Sequence, residues 1–147
     1  MKLEGTTNIK ASREKVWEFI TDPNQVAKCA PGLESMEIIE PDKKFLVVAA
    51  IGFGAVKIKF KMDVEFVELK APDFASLKVH GNAPGSAVDA TSEMKLSDAE
   101  DGSTDLNWSA DVVILGTIAS LASRLMGSVT KKLANEFFTK MKGYIEE

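Results

Sequence analysis

The sequence is poor in the side chains that most often carry catalysis, with one cysteine, one histidine and one tyrosine in 147 residues. Because Cys29 is alone, an intrachain disulfide and a cysteine zinc cluster are both excluded, and we expect a reducing compartment. A Ser-His-Asp triad or a histidine metal site would have to use His80. Any thiol- or imidazole-based chemistry therefore depends on these two residues.

Long apolar runs and blocks of positive charge are also missing. The stretch from Val112 to Met126 is interrupted by Gly116, Thr117 and Arg124, and it falls short of the ~18 apolar residues of a membrane-spanning helix. The formal net charge is −4, so we do not expect a nucleic acid as partner. The first residues carry charges and no long apolar region, unlike a signal peptide. We therefore expect a cytoplasmic protein without a transmembrane segment.

The composition is that of a globular chain, with 45% hydrophobic and 27% charged residues. A chain of this length buries roughly 70% of its unfolded surface, so it can form a core unaided. The sequence contains no internal repeat, low-complexity stretch or linker. We therefore expect residues 1–147 to form a single domain.

The spacing of apolar residues predicts one strand, two short helices, six strands and one long helix. Residues 2–10 alternate between apolar and polar, and the alternation is clearest over residues 56–66. Ser12 and Asp22 are placed to cap the two short helices. From a predicted cap at Thr117, apolar residues recur every four positions, which is typical of an amphipathic helix.

Strands joined by short turns form an antiparallel sheet, and only the long helix is large enough to cover its apolar face. The predicted fold class is therefore α+β: about seven antiparallel strands in the order β-α-α-β6-α, curved around the C-terminal helix. Small residues at the start of this helix, such as Ala119 and Ser123, would leave volume unfilled and create an apolar cavity. Close packing of the helix on the sheet is the alternative.

Strand parity and the apolar stripe of the helix predict the walls of this cavity. The predicted wall residues are Phe60, Met62, Val64, Val79, Val88, Ala90, Trp108, Ala110, Leu121 and Leu125. The mouth is predicted where glycine and proline interrupt the rim of the sheet, at Pro31, Gly32, Phe53, Pro84 and Gly85. Ligand pockets are typically apolar with few polar groups, as this set is.

The other candidate residues favour structural roles. His80 has the parity of the solvent face, so we expect a surface imidazole, and Cys29 is expected to be a buried, inert thiol. Gly52 to Gly54 begins like a dinucleotide fingerprint, but Lys57 stands where the third glycine should be. A tight hairpin turn is favoured there, and a mobile flap with Phe53 at its tip is the alternative. The acidic residues from 98 to 105 indicate a solvated turn rather than a calcium or other metal site.

Several short motifs follow one another at spacings that resemble a known family. They are Val16-Trp17, Asp22-Pro23, Cys29-Ala30-Pro31-Gly32, Gly52, Val56, Phe60, Gly81, Gly85-Ser86-Ala87 and Phe137-Phe138. In their order the sequence resembles the carbon monoxide dehydrogenase G-subunit family over about residues 2–142. The order of elements resembles the wider helix-grip (START-like, SRPBCC) superfamily.

The resemblance implies a non-enzymatic protein that binds an apolar or amphipathic small molecule, such as a quinone or a lipid. It implies service to a molybdenum hydroxylase of the carbon monoxide dehydrogenase type, in assembly or in electron transfer. Many members of the family carry a C-terminal tail with an apolar anchor, and this sequence stops at Glu147 without one. We therefore expect the protein to bind a ligand in its cavity without an anchor. Any contact with the membrane is expected to be peripheral, at the cytoplasmic side of the membrane.

Two other functions remain open at this point. A helix-grip enzyme of the polyketide cyclase or dehydrase type would need a polar group projecting into the cavity, whereas the inward positions are almost wholly apolar. A pure assembly factor would have a solid core and no cavity.

Overall fold

Ten elements follow the predicted order along the chain. The structure is a computed structural model that describes residues 1–41 and 43–146. The N-terminal elements are β1 (Lys2–Ile9), α1 (Arg13–Ile20) and α2 (Pro23–Cys29). Six strands follow, β2 (Leu33–Glu40), β3 (Lys44–Phe53), β4 (Val56–Lys70), β5 (Phe74–Ala83), β6 (Ser86–Asp98) and β7 (Thr104–Gly116). The last element is the long helix α3 (Ala119–Ile145).

The strands form one sheet in the order β1-β7-β6-β5-β4-β3-β2. Each neighbouring pair is antiparallel. From β2 onwards each strand pairs with the next one along the chain, while α1 and α2 carry the chain from one edge strand, β1, to the other, β2. This seven-stranded antiparallel sheet with its long C-terminal helix confirms the predicted helix-grip fold.

The two short helices start at the residues that the sequence predicts. Ser12 Oγ accepts a hydrogen bond from the backbone N–H of Lys15 at 3.3 Å. Asp22 Oδ1 accepts one from Asn24 at 3.0 Å, and Pro23 occupies the first helical position. A side-chain oxygen at the cap satisfies a backbone donor that has no partner within the helix. Local chemistry therefore sets the start of both helices.

The start of α3 does not follow the local prediction. Thr117 is not the cap, because the helix begins at Ala119 and the residue before it, Ile118, has no capping side chain of its own. Instead, Ser86 Oγ at the start of β6 accepts a hydrogen bond from the backbone N–H of Ile118 at 3.2 Å and lies 3.1 Å from Thr117 Oγ1. The cap is thus supplied across the fold by a residue that no local pattern identifies.

Most buried apolar side chains gather in two clusters at opposite ends of α3, while Phe45, Ala49 and Ala75 are buried outside both. The helical-end cluster consists of Ile9, Val16, Phe19, Ile20, Cys29, Leu96, Leu106, Met141 and Ile145. The hairpin-end cluster consists of Phe53, Phe60, Ile118 and Ala122. Each fully buried large apolar side chain contributes about 1.5–3 kcal/mol by leaving water. The helix is therefore held to the sheet mainly at its two ends.

The backbone of α3 approaches α2, β3, β1 and β7 more extensively than it approaches the central strands β4, β5 and β6. The helix therefore contacts strands on either side of the sheet centre more closely than it contacts the centre itself. This geometry places the candidate site between the middle of α3 and the sheet.

Candidate functional site

The sheet face that meets α3, called the inner face below, is set by strand parity. Phe60 of β4 pairs with Ala49 of β3, and both are buried on this face. On β4 the apolar residues at even positions are inward and the charged residues between them are outward, as the sequence predicts. The inner face is therefore a continuous apolar surface.

By strand register, the polar side chains on the inner face of the described strands belong to Thr7, Ser92 and Thr104 and, at the two ends of β6, to Ser86 and Asp98. Ser92 Oγ donates to the carbonyl of Ser109 at 3.0 Å, and Thr104 Oγ1 donates to the carbonyl of Ala11 at 2.8 Å. The hydroxyl protons of Ser92 and Thr104 are thus engaged by backbone acceptors. Ser92 and Thr104 therefore help to hold the fold together, as do Ser86 at the start of α3 and Asp98 beside Arg13.

The ten predicted wall residues all lie on the inner face or on α3, and they fall into three groups. Five pack in or against the hairpin-end cluster: Phe60, Met62, Val88, Leu121 and Leu125. Trp108 packs against the helical-end cluster. Four lie on the inner face between the clusters and belong to neither: Val64, Val79, Ala90 and Ala110. The cavity itself stays a prediction, and we place its predicted centre at these four residues.

Two glycines of the predicted mouth take part in backbone hydrogen bonds, and the mouth itself stays a prediction. The backbone N–H of Ala50 donates to the carbonyl of Gly32 at 2.9 Å, and that of Thr117 donates to the carbonyl of Gly85 at 3.1 Å. Both glycines have positive φ, which suits tight turns. Opening a mouth beside Pro31 or Pro84 would require these bonds to break.

The position of the Phe53 side chain differs from the one expected for the tip of a mobile flap. Its side chain is only 3% exposed, and its ring centroid lies 6.3 Å from that of Phe60 in the hairpin-end cluster. The strand β3 continues through Gly52, so the turn begins at Gly54. Burial of the ring stabilises this corner, which explains why Phe53 points inward.

A groove of about 500 Å³ separates β1 from α3, and it is called the β1–α3 groove below. Its strand side includes Leu3, Gly5 and Trp108, and its helix side includes Thr130 and Asn135. Of these residues, only Trp108 was predicted as part of the site. The helix-side positions recur at intervals of three and four from Gly127, which marks one helix flank. That spacing alone could not identify a groove, because its other wall comes from the opposite end of the chain.

A second depression, of about 570 Å³, lies on the outer face of the sheet. It contains His80, whose side chain is 51% exposed and whose Nδ1 lies 2.7 Å from Asp89 Oδ1. Asp63 faces His80 from the neighbouring strand β4. The prediction of a surface imidazole is confirmed, and the ring is on the opposite side of the sheet from α3.

Cys29 is completely buried in the helical-end cluster, as predicted. Burial raises the pKa of its thiol, while the positive charges of Lys140 and Lys28 partly oppose this effect. A raised pKa keeps the thiol protonated at neutral pH, and the protonated thiol is a poor nucleophile. The structure therefore supports a packing role for Cys29.

We expect the Cys29 thiol to be protected from a thiol reagent such as dithionitrobenzoate in the native protein. The reagent reaches the thiol only in the small fraction of molecules that have opened locally, so the modification rate should be lower than that of a free thiol by at least this fraction. Denaturant should abolish the protection. Absorbance at the wavelength of the released thiolate follows the reaction. Modification of the folded protein at the speed of free cysteine would contradict this assignment.

The acidic segment from 98 to 105 consists of the turn between β6 and β7 with the adjoining strand ends, and Asp98, Glu100 and Asp101 are exposed. The Ser103 hydroxyl and backbone N–H both donate to Asp101, and these bonds hold the pKa of that carboxyl below its usual range. Across residues 1–41 and 43–146, no group of three or more metal-binding side chains is arranged to hold an ion. The described helices also include none that is long and apolar enough to cross a membrane.

Solved structures share this architecture over almost the whole chain. A conserved protein from Geobacillus kaustophilus is 30% identical, with a TM-score of 0.90, covering 99% of this chain and 95% of that one. The Zhui aromatase/cyclase from Streptomyces sp. R1128 is 17% identical, with a TM-score of 0.76 and coverages of 99% and 93%. A START superfamily protein from Mycobacterium smegmatis is 14% identical, with a TM-score of 0.71 and coverages of 99% and 97%.

No curated protein matches the chain. Comparison with protein families matches residues 5–146 to CoxG, the G-subunit of carbon monoxide dehydrogenase. The match begins in β1 and ends one residue after α3, so it includes the helix side of the β1–α3 groove and all of the inner face except Leu3. The chain belongs to the carbon monoxide dehydrogenase G-subunit (CoxG) family.

Proposed function

We propose that this protein is a non-enzymatic carrier of an apolar or amphipathic small molecule, such as a quinone or a lipid. The molecule lies between the inner face and the middle of α3. The carrier serves a molybdenum hydroxylase of the carbon monoxide dehydrogenase type, in assembly or in electron transfer. Family membership supports the partner, and the geometry of the inner face supports the ligand.

The observation that carries the proposal is the gap between the two buried clusters. Val64, Val79, Ala90 and Ala110 form an apolar patch at the centre of the inner face, yet they pack in neither cluster. All four side chains are only partly buried, so apolar surface remains at the centre of this face for a ligand to cover. An apolar ligand would fill the space and bury the patch, which is favourable by about 25 cal/mol per Å² of apolar surface.

A cyclase or dehydrase is the second candidate, since one structural neighbour is an aromatase/cyclase. Such a reaction needs a group that moves a proton at the substrate. On the described inner face, Ser92 and Thr104 donate to backbone carbonyls, and Ser86 accepts the bond at the start of α3. The carboxylate of Asp98 has the same parity, but it lies at the end of β6 beside Arg13. His80, the one imidazole, is on the outer face. This distribution favours the carrier.

Native mass spectrometry of the purified protein tests the ligand. We expect a fraction of the molecules to carry an added mass that is lost on collisional activation, and the same compound to appear in an organic extract. Incubation with 2-methyl-1,4-naphthoquinone should increase the bound fraction. A protein that carries no ligand after purification and takes up none on incubation would contradict the carrier and favour an assembly factor with a solid core.

The partner is tested separately, by size-exclusion chromatography of the protein mixed with a purified hydroxylase of this class. We expect co-migration that depends on whether the carrier is loaded. Independent migration of both the loaded and the empty forms would contradict the proposed partner and leave the ligand proposal standing.

A further inference from the structure

We propose that the β1–α3 groove binds the polar head of the ligand and is the route by which its apolar part reaches the inner face. The head is a planar ring bearing hydrogen-bond-accepting oxygens. It stacks on Trp108 and receives hydrogen bonds from Thr130, Lys131 and Asn135 on α3. This inference rests on the proposed carrier function and adds an entrance and a specificity site to it.

The floor of the groove offers a flat apolar surface. A Cβ added to Gly5 would lie 2.8 Å from Trp108 Nε1 and Cζ2, so only glycine lets the indole lie directly against β1. Trp108 is only partly buried, and it lines the groove together with Leu3. A partly buried indole that lines a groove can stack with another planar ring, which contributes about 0.5–1.5 kcal/mol beyond area burial in protein pairs.

The helix side of the groove supplies hydrogen-bond donors. Thr130, Lys131 and Asn135 lie on one flank of α3 and line the groove together. In the part of the chain that the structure describes, the side chains of Thr130 and Asn135 make no hydrogen bond. A hydroxyl, an ammonium and an amide that converge over an apolar floor match a ring with carbonyl oxygens.

The groove is also the better entrance. At the mouth predicted from the sequence, the carbonyls of Gly32 and Gly85 are engaged in backbone hydrogen bonds. The helix side of the β1–α3 groove has open space at Gly127, where an added Cβ would meet no atom within 4 Å. Leu3 and Trp108 have the parity of the inner face, so a molecule in the groove would lie beside that face.

Trp108 fluorescence provides a local readout once the other tryptophan is removed by Trp17→Phe. We expect 2-methyl-1,4-naphthoquinone to quench this signal on binding. The matched hydrocarbon 2-methylnaphthalene has the same ring system without the oxygens, and it should bind more weakly by about tenfold, the usual value of a hydrogen bond from a charged donor. Equal affinity for the two compounds would overturn the assignment of a head-group site.

Adjacent lysines give a matched pair of variants. Lys131→Met should weaken quinone binding by about tenfold, while leaving the affinity for the hydrocarbon unchanged. Lys132→Met is the control, because Lys132 is exposed and does not line the groove. A similar effect of both substitutions, or of neither, would contradict a contact between Lys131 and the head.

Two glycines of α3 test the entrance. Gly127 lines the groove and Gly143 does not, and an added Cβ meets nothing within 4 Å at either. We expect Gly127→Trp to slow both association and dissociation of the quinone at least several-fold in stopped-flow measurements, with Gly143→Trp unchanged. Unaltered rates in Gly127→Trp would exclude this route and favour entry at the mouth predicted from the sequence.

The outcomes separate the two proposals. If the protein takes up quinone in the mass spectrometer while Lys131→Met and Gly127→Trp behave like their controls, the carrier function stands and the groove proposal fails. If no quinone binds by either method, the carrier function fails and the groove proposal fails with it.

Discussion

Ala90→Phe is expected to abolish most ligand binding while leaving the protein nearly as stable as the parent. Ala90 lies at the centre of the inner face, paired with Val79 and Val112 and packed in neither buried cluster. If the space beneath α3 is a cavity, the added ring occupies it without displacing neighbours. The free energy of unfolding should then fall by less than about 1 kcal/mol, with bound ligand reduced more than tenfold in native mass spectra.

Ala75→Phe is the matched control for this substitution. Ala75 is fully buried on the neighbouring strand β5, so the same ring has no space there. Overpacking a filled site costs about 1–3 kcal/mol or more. Urea unfolding of the two variants makes the comparison, and Ala110→Phe should repeat the result of Ala90→Phe. Equal destabilisation at Ala75 and Ala90, without loss of ligand, would contradict the cavity.

Gly116→Ala should be strongly destabilising, because this residue forms the corner between β7 and α3. Its φ is +99°, and an added Cβ would lie 2.1 Å from the carbonyl oxygen of Gly85. The positive φ and the clash with fixed backbone together should cost on the order of 3 kcal/mol. For a chain of this size, that corresponds to a fall in melting temperature of roughly 10 °C.

Gly102→Ala separates the two causes. Gly102 also has a positive φ, +82°, but an added Cβ there meets no atom within 4 Å. Its substitution should cost only about 1–2 kcal/mol, the usual penalty for a left-handed residue with a side chain. Thermal unfolding followed by circular dichroism compares the variants. A Gly116→Ala protein no less stable than Gly102→Ala would show that the corner can relax.

The corner at Gly116 also connects stability to the site. Ser86, next to Gly85, caps α3 through the backbone of Ile118, so a shift of this corner changes where the helix begins. The hairpin-end cluster anchors α3 at the same place through Ile118 and Ala122. We therefore expect ligand binding in Gly116→Ala to weaken even under conditions in which the protein remains folded.

The elements and the inward face of each strand were predictable from the sequence because both are governed by local periodicity. Alternation along β4 places Phe60 inward and Lys61 outward whatever the rest of the fold does, since successive side chains point to opposite faces. The same rule placed His80 on the outer face. Side chains close in sequence likewise supply the caps at Ser12 and Asp22.

The site was predictable only in part. The wall residues were identified as inward-facing, but parity does not tell how closely a helix approaches a sheet. Phe60 and Leu121 therefore proved to belong to a packed cluster, whereas Ala90 and Ala110 lie outside both clusters. Glycine and proline at the rim suggested mobility, yet Gly32 and Gly85 are held by backbone hydrogen bonds. Turn residues mark where a chain bends and do not show whether the bend is free to move.

The sequence by itself determined the order of elements, the apolar inner face and the resemblance to the CoxG family, all of which depend on residues near one another in the chain. Only the tertiary structure decided that Ser86 caps α3, that Phe53 closes one end of the fold, and that a groove opens between β1 and α3. Each of these depends on contacts between segments far apart in sequence. Gly5 and Thr130 become the two walls of one groove because the pairing of β1 with β7 brings the first strand beside the last helix.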